Sequence, residues 1–141
     1  MEPGLWARLH GAAIHFPIAL PVFAVLCDTA ALLWWVRPVA GRLRAAGGYG
    51  LYLAALGSVP AVVSGLVLTR GDMLGHGVLR WHHAFAWPAW ALLVTLAMWR
   101  ALRRAAPTRR AHAVYVAALW TMTALMGGAG HFGGLLAQSF P

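Results

Sequence analysis

Lysine is absent from this sequence, and acidic residues are rare. Of 141 residues, three are acidic and none of the eleven basic residues is a lysine, so charged residues make up 10% of the chain. A typical soluble domain has about 25% charged residues, which keep its surface hydrated. Hydrophobic residues make up 61% of the chain, and its mean hydropathy is +0.69. The composition therefore excludes an ordinary soluble domain and indicates an integral membrane protein.

Cysteine is also scarce. Cys27 is the single cysteine, so the chain forms no internal disulfide, and the absence of a Cys-x-x-Cys-His motif excludes covalently attached c-type haem. The first residues lack the basic region and small-residue cleavage site of a signal peptide, so we expect the first apolar stretch to remain in the protein. No polar region is long enough for a separate soluble domain, so residues 1–141 are expected to form one transmembrane domain.

Four apolar segments are each long enough to cross a membrane, which takes about 20 helical residues for roughly 30 Å of hydrocarbon. They are expected near residues 11–36, 48–69, 81–99 and 112–137. The connections between them are short, so helices that follow one another are expected to be antiparallel neighbours. The sequence therefore predicts an all-α, integral membrane four-helix bundle of up-down-up-down topology.

The arginines are distributed unevenly between the two ends of this bundle. One end has only Arg8, Arg70 and Arg80. The first and third connections, at the other end, contain Arg37, Arg42, Arg44, Arg100, Arg103, Arg104, Arg109 and Arg110. Because arginine-rich loops stay in the cytoplasm, both termini are predicted to be extracytoplasmic, in a multi-pass protein of the bacterial cytoplasmic (inner) membrane. The membrane topology thus explains the net charge of +8. A nucleic-acid partner is not needed to explain the arginines, and none is expected.

In this topology six of the seven histidines lie towards the outer side of the membrane. They are His10, His15, His76, His82, His83 and His131, whereas His112 lies on the inner side. Interfacial histidines are commonly hydrogen-bonded or solvated, and we prefer that interpretation for His76, His112 and one of the pair His82 and His83. His15 and His131 lie in apolar sequence, where an imidazole needs a partner because an isolated polar group is costly in a bilayer.

Histidines at matched depth on different helices are typical of cofactor sites in helical bundles. His10 matches His82 near the surface, and His15 matches His131 deeper in the membrane. A b-type haem with two axial histidines needs such facing imidazoles. The same four side chains are also the candidate ligands of a bare copper, zinc or iron ion, which we consider the weaker alternative because no local His-x-x-x-His or Glu-x-x-His motif is present.

A haem also needs a flat space and cations for its propionates. Gly127, Gly128 and Gly134 lie three or four residues from His131 and remove side chains beside it, although close helix packing would explain these glycines equally well. Arginine pairs bidentately with carboxylates, and the arginines Arg8, Arg70 and Arg80 are on the outer side. Asp28, near the inner end of the first helix, is expected to form a structural ion pair with an inner arginine, with a role in proton transfer as the alternative.

Three motifs extend these inferences. They are Leu9-His10 with Ile14-His15-Phe16-Pro17, Arg80-Trp81-His82, and Gly130-His131-Phe132-Gly133-Gly134-Leu135. This set resembles a bacterial four-helix membrane family known as domain of unknown function 2231. The resemblance implies redox work by analogy, because related domains occur fused to cytochrome c-like or Rieske iron-sulfur domains. The chain departs from the family at His83, where members often have arginine.

These features predict an electron-transfer subunit of a redox complex that binds one or two haems b near the outer face. It would relay electrons between membrane quinone and a cytochrome c-like or iron-sulfur partner. His15 with His131 would ligate a deeper haem, and His10 with His82 the next. The alternative is a structural anchor or assembly subunit without a cofactor. A small transporter comes last, because the inner half is poor in polar groups apart from Asp28, and no nucleophile-base pair indicates an enzyme.

Overall fold

The computed structural model describes residues 3–103 and 106–139 and is helical there, without strands. Its five helices are α1 (Pro3–Ala13), α2 (His15–Leu33), α3 (Val39–Leu68), α4 (Gly77–Leu102) and α5 (Arg109–Ser139). They provide four segments that are long and apolar enough to cross a membrane, namely Gly4–Leu33, Val39–Leu68, Gly77–Leu102 and Arg109–Gln138. The predicted all-helical fold with four membrane spans is therefore confirmed.

The first span is interrupted where α1 meets α2. Pro17 has no N–H to donate to the Ala13 carbonyl, so one helical hydrogen bond is missing at this point. Accordingly α1 ends at Ala13 and α2 begins at His15. The Ile14 amide still donates to the His10 carbonyl at 3.0 Å, which keeps the two helices in one span. His10 and His15 consequently belong to different helices.

The four spans form a closed ring. The packed helix pairs are α2 with α3, α3 with α4, α4 with α5, and α5 with α2, while α1 packs mainly on α3. Successive spans are antiparallel, so the start of α1, the loop 69–76 and the end of α5 lie at one end, here named the terminal end. The loop 34–38 and the connection between α4 and α5 lie at the opposite end.

Glycines on α3 allow the first span to pack closely against it. An added Cβ at Gly50 would come within 2.9 Å of the Phe23 ring, and one at Gly57 within 2.9 Å of Phe16 Cβ. Leu51, Leu93, Leu119 and Met122 form the fully buried centre of the bundle. Large apolar side chains elsewhere point outwards, as Leu56 does with 70% of its surface exposed. Such exposed apolar side chains on membrane-spanning helices contact lipid.

Each of the four spans extends beyond at least one of its predicted bounds. The second span begins at Val39 rather than near residue 48, so Arg42 and Arg44 lie in α3 and not in a loop. The third span continues to Leu102 and takes Arg100 into α4. Arginines were interpreted as loop residues, but the apolar stem of an arginine can lie along a membrane helix while its guanidinium reaches a polar partner.

Candidate functional site

His10 of α1 is held against α3 at the terminal end. Its Nδ1 donates a hydrogen bond to the Ala61 carbonyl oxygen at 3.0 Å and lies 3.0 Å from Ser64 Oγ. The Ser64 hydroxyl itself donates to the Pro60 carbonyl at 2.6 Å, so its oxygen is left to face the imidazole as an acceptor. Gly65 makes room for the ring, since an added Cβ would lie 3.1 Å from His10 Cε1. These contacts place the ring proton of neutral His10 on Nδ1.

His82 of α4 is held against α5 in the same manner. Its Nδ1 donates to the Ala129 carbonyl oxygen at 2.8 Å. Its ring lies on Gly133, where an added Cβ would be 3.4 Å from Cε1 and Nδ1. The proton of neutral His82 is therefore also on Nδ1.

The two imidazoles consequently present the same unprotonated atom. With Nδ1 bound to a backbone carbonyl, the lone pair of a neutral ring is on Nε2, which is the usual arrangement of a metal-ligating histidine. Neither Nε2 has a hydrogen-bonding partner within residues 3–103 and 106–139. The structure thus brings this sequence-predicted pair to one end of the bundle.

Among the described residues, α1 and α5 do not pack against each other. Trp120 Nε1 donates to Thr29 Oγ1 of α2 at 3.2 Å, which shows that this face of α5 is turned towards the first span. Gly127 and Gly134 continue the same face at seven-residue steps. An added Cβ at either glycine, or at Gly130, would meet nothing within 4 Å in the described part of the chain. The three glycines therefore leave open space on this part of α5.

Gly128 does not belong to this surface. An added Cβ there would lie 2.6 Å from Phe85 Cδ1, so Gly128 serves the contact between α5 and α4. The expectation that it clears space beside His131 is wrong, because Gly128 is on a different face of the helix from Gly127.

His15 and His131 are both exposed, and no described contact joins them. The His131 ring packs edge-on against Phe132 at 5.2 Å between centroids. Arg8 and Arg80 are also exposed, on α1 and α4 respectively, at the terminal end. Within residues 3–103 and 106–139, no three His, Cys, Asp or Glu side chains form a group that could hold a metal ion. Ligation by two imidazoles is what this region offers.

A polar cluster at the opposite end, which we name the Asp28 clasp, consists of Asp28, Arg100, His112 and Tyr115. Arg100 Nη1 donates to Asp28 Oδ2 at 2.7 Å and to the Tyr115 hydroxyl at 2.9 Å, and its Nη2 donates to the Arg44 carbonyl. His112 Nε2 donates to the Asp28 backbone carbonyl at 3.0 Å. The clasp therefore connects all four spans, and the predicted ion pair of Asp28 with an inner arginine is confirmed.

The sequence analysis missed most of this cluster. His112 is hydrogen-bonded, as expected, but it is buried with 2% exposure and is not an interfacial side chain. Its position three residues before Tyr115 places both on one face of α5, which was the available signal. Arg100 was assigned to a loop, so no cation was expected within the helices.

Comparison with known proteins gives one match. No curated protein and no solved structure matches the chain. The model of a family described as a predicted membrane protein, DUF2231, matches residues 7–141. That range covers three spans of this multi-pass membrane protein in full and the first span from residue 7 onwards. The chain therefore belongs to the DUF2231 family of membrane proteins.

Proposed function

We propose that this protein is an electron-transfer subunit of a redox complex that binds haem b between His10 and His82. The observation that carries the proposal is the shared hydrogen-bond pattern of the two imidazoles, each with Nδ1 on a backbone carbonyl and Nε2 without a partner. Hydrogen bonds of this kind fix the tautomer and orientation of axial histidines and increase their basicity. Two histidines from different helices at one depth are the expected ligand set for a haem in a helical bundle.

The surroundings of the pair suit this cofactor. Gly127, Gly130 and Gly134 leave open space on α5. Arg8 and Arg80 are the cations proposed to pair with the propionates. When bound, haem with two histidine ligands supplies one-electron redox chemistry with no open coordination position, which favours electron transfer over reaction with oxygen. The protein's own part is to orient the ligands and exclude water from them.

The proposed orientation in the membrane rests on the uneven distribution of arginines, and the proposed redox partners rest on the family resemblance. The terminal end is proposed to face outwards from a bacterial cytoplasmic membrane. Electrons would then pass between membrane quinone and a cytochrome c-like or iron-sulfur partner on that side. A second haem between His15 and His131 stays a prediction from the sequence, since these exposed side chains have no contact that would orient them towards one another.

The test is a reduced-minus-oxidised absorption spectrum of the full chain, purified in detergent after expression with added haem precursor. Pyridine haemochrome analysis gives the number of haems per chain. We expect a sharp b-type α-band in the wild type. Because each axial ligand supplies a metal bond that alanine cannot replace, His10→Ala and His82→Ala should each reduce haem content at least about tenfold.

The matched controls are His15→Ala and His131→Ala, which remove the other predicted pair. If the band survives in both controls and is lost in His10→Ala and in His82→Ala, then His10 and His82 are the ligands of the haem that gives the band. If the band is lost in the controls but retained in His10→Ala and His82→Ala, the proposed ligand pair is wrong. A folded wild-type protein without an α-band would refute haem binding.

A further inference from the structure

A groove of about 590 Å³ lies at the terminal end, between α4 and the loop that precedes it. The α4 side chains that line it are Arg80, His83, Ala84, Trp87 and Pro88. The last four lie three, four, seven and eight residues after Arg80, so all five lie on one face of the helix. Met73 to Gly77 form the other wall. The volume is within the range of about 300–1,000 Å³ that is typical of small-molecule sites.

The polarity of the groove changes along its length. His76 and Arg80 lie at its surface end, and Trp87 and Pro88 lie about two turns further into the span. At roughly 1.5 Å per helical residue, the twelve positions from Gly77 to Pro88 extend about 16 Å along the helix. Ala84 and Pro88 are exposed on the outside of the bundle. A ligand with a polar head and an apolar tail can therefore enter from the lipid.

His83 is the buried polar group of this groove. It is 8% exposed, and its buried Nδ1 makes no well-aligned hydrogen bond among the described residues, because the Met73 backbone beside it is already bound by Trp87 Nε1 at 2.8 Å. Its ring lies between the rings of His82 and Trp87, with centroids 5.7 and 5.8 Å away. An unsatisfied buried donor or acceptor is costly, so a partner from a bound ligand would be favourable here. The adjacent His82 is the proposed haem ligand.

We propose that this groove binds the headgroup of a quinone or quinol, with His83 Nδ1 hydrogen-bonded to a ring oxygen and Trp87 against the ring. This inference rests on the proposed function, for which it names the site of the membrane-soluble redox partner. The isoprenoid tail would leave along Pro88 into the lipid. The contact of His83 with His82 would place the quinone one imidazole away from the haem ligand.

The loop charges favour a neutral headgroup over a phosphate. Asp72 Oδ1 accepts hydrogen bonds from the amides of Leu74 at 3.1 Å and Gly75 at 2.8 Å, and its Oδ2 lies 3.6 Å from His76 Nδ1. The Gly75 and Leu74 amides and the nearby imidazoles hold the pKa of Asp72 below its usual value, so the carboxylate is charged at neutral pH. It already accepts hydrogen bonds from these loop amides, so they are not free to bind a phosphate.

The test is isothermal titration calorimetry of decyl-ubiquinone into the full chain in nanodiscs of phosphatidylcholine. We expect saturable binding to the wild type. Ala84→Phe fills the groove without removing a hydrogen-bonding group and should weaken binding at least about tenfold by steric overlap. His83→Ala should weaken binding by about tenfold through loss of one buried hydrogen bond.

The matched control is Ala101→Phe, which adds the same ring to an exposed alanine near the other end of α4, far from the groove. Its affinity should equal that of the wild type. Equal affinities for Ala84→Phe and wild type would overturn the inference, as would displacement of the quinone by added phosphatidylglycerol.

Calorimetry does not require haem, so quinone binding without an α-band would refute only the proposed function. An α-band without quinone binding would refute only the groove.

Discussion

Asp28 is a carboxylate with no exposed surface inside an apolar span. Taking a charge out of water is costly unless a counter-charge and hydrogen bonds compensate for it. Arg100 supplies both through its 2.7 Å contact with Oδ2, and the same guanidinium reaches Tyr115 and the Arg44 carbonyl. Gly48 provides the space for it, since an added Cβ would lie 2.8 Å from Arg100 Nε. One arginine thereby satisfies polar groups from three other helices.

This arrangement predicts strong coupling between Asp28 and Arg100. Asp28→Leu leaves a buried guanidinium without its counter-charge, and Arg100→Met leaves a buried carboxylate, so each should lower the free energy of unfolding by about 3–5 kcal/mol. The double variant removes both charges and should lose much less than the sum of the single variants. Unfolding of each variant in mixed detergent micelles, followed by circular dichroism, gives the four free energies of the cycle.

The control for the cycle is Thr95→Val, an exposed position of α4 outside the clasp. It should change the free energy of unfolding by less than about 0.5 kcal/mol. Additive losses in the double variant would show that Asp28 and Arg100 contribute independently, contrary to the ion pair that joins them.

At the scale of helices, glycine spacing sets the distance between α2 and α3. The contacts of Gly50 with Phe23 and of Gly57 with Phe16 follow an antiparallel register, and the contact of Gly65 with His10 continues it into α1. Close approach without a Cβ is a common way to pack membrane helices, because lipid provides no hydrophobic force between them. The position of His10 against α3 depends on the same register.

Gly57→Ala is therefore expected to destabilise the bundle by about 1–3 kcal/mol, as overpacking does in a close-packed interior. The added Cβ would lie 2.9 Å from Phe16 Cβ, at the base of that side chain, where rotation of the ring gives no relief. Gly41→Ala is the matched control on the same helix, because an added Cβ there meets nothing within 4 Å. It should be neutral or stabilising, since alanine favours the helix over glycine by about 0.5–1 kcal/mol.

Thermal unfolding of both alanine variants in the same detergent measures the difference. Equal midpoints for Gly57→Ala and Gly41→Ala would mean that α2 and α3 do not depend on this close contact. A lower midpoint for Gly57→Ala alone would confirm that the glycine sets the helix separation.

The helices could be predicted from the sequence because span length and hydropathy are local properties. The break at Ile14 has an equally local cause in Pro17, although it was not predicted. What could not be predicted is how each helix is rotated about its axis. That rotation decides that His82 faces Ala129, that Gly128 faces Phe85 and that Arg100 reaches Asp28. For a single haem, matched depth alone left any cross-helix pair among His10, His15, His82 and His131 possible.

At the scale of the whole molecule, the two ends differ in chemistry. The terminal end has the imidazoles of His10, His82 and His83, each in a partly or fully buried position. The opposite end has the Asp28 clasp and most of the described arginines, and Arg104 lies outside the described residues. With the proposed haem site at one end and a four-helix polar contact at the other, the bundle would be divided between ligand binding and structural support. Which end faces the cytoplasm determines which partners can reach the proposed haem.

The arginine asymmetry predicts that the opposite end is cytoplasmic. Single cysteines test this in a Cys27→Ala background, with Leu74→Cys in the loop at the terminal end and Ala106→Cys in the connection at the other. Both parent positions are exposed. In spheroplasts, a membrane-impermeant maleimide should label Leu74→Cys at once and Ala106→Cys only after lysis. The reverse pattern would place His10 and His82 on the cytoplasmic side, and an extracytoplasmic redox partner could not then be the direct electron acceptor or donor.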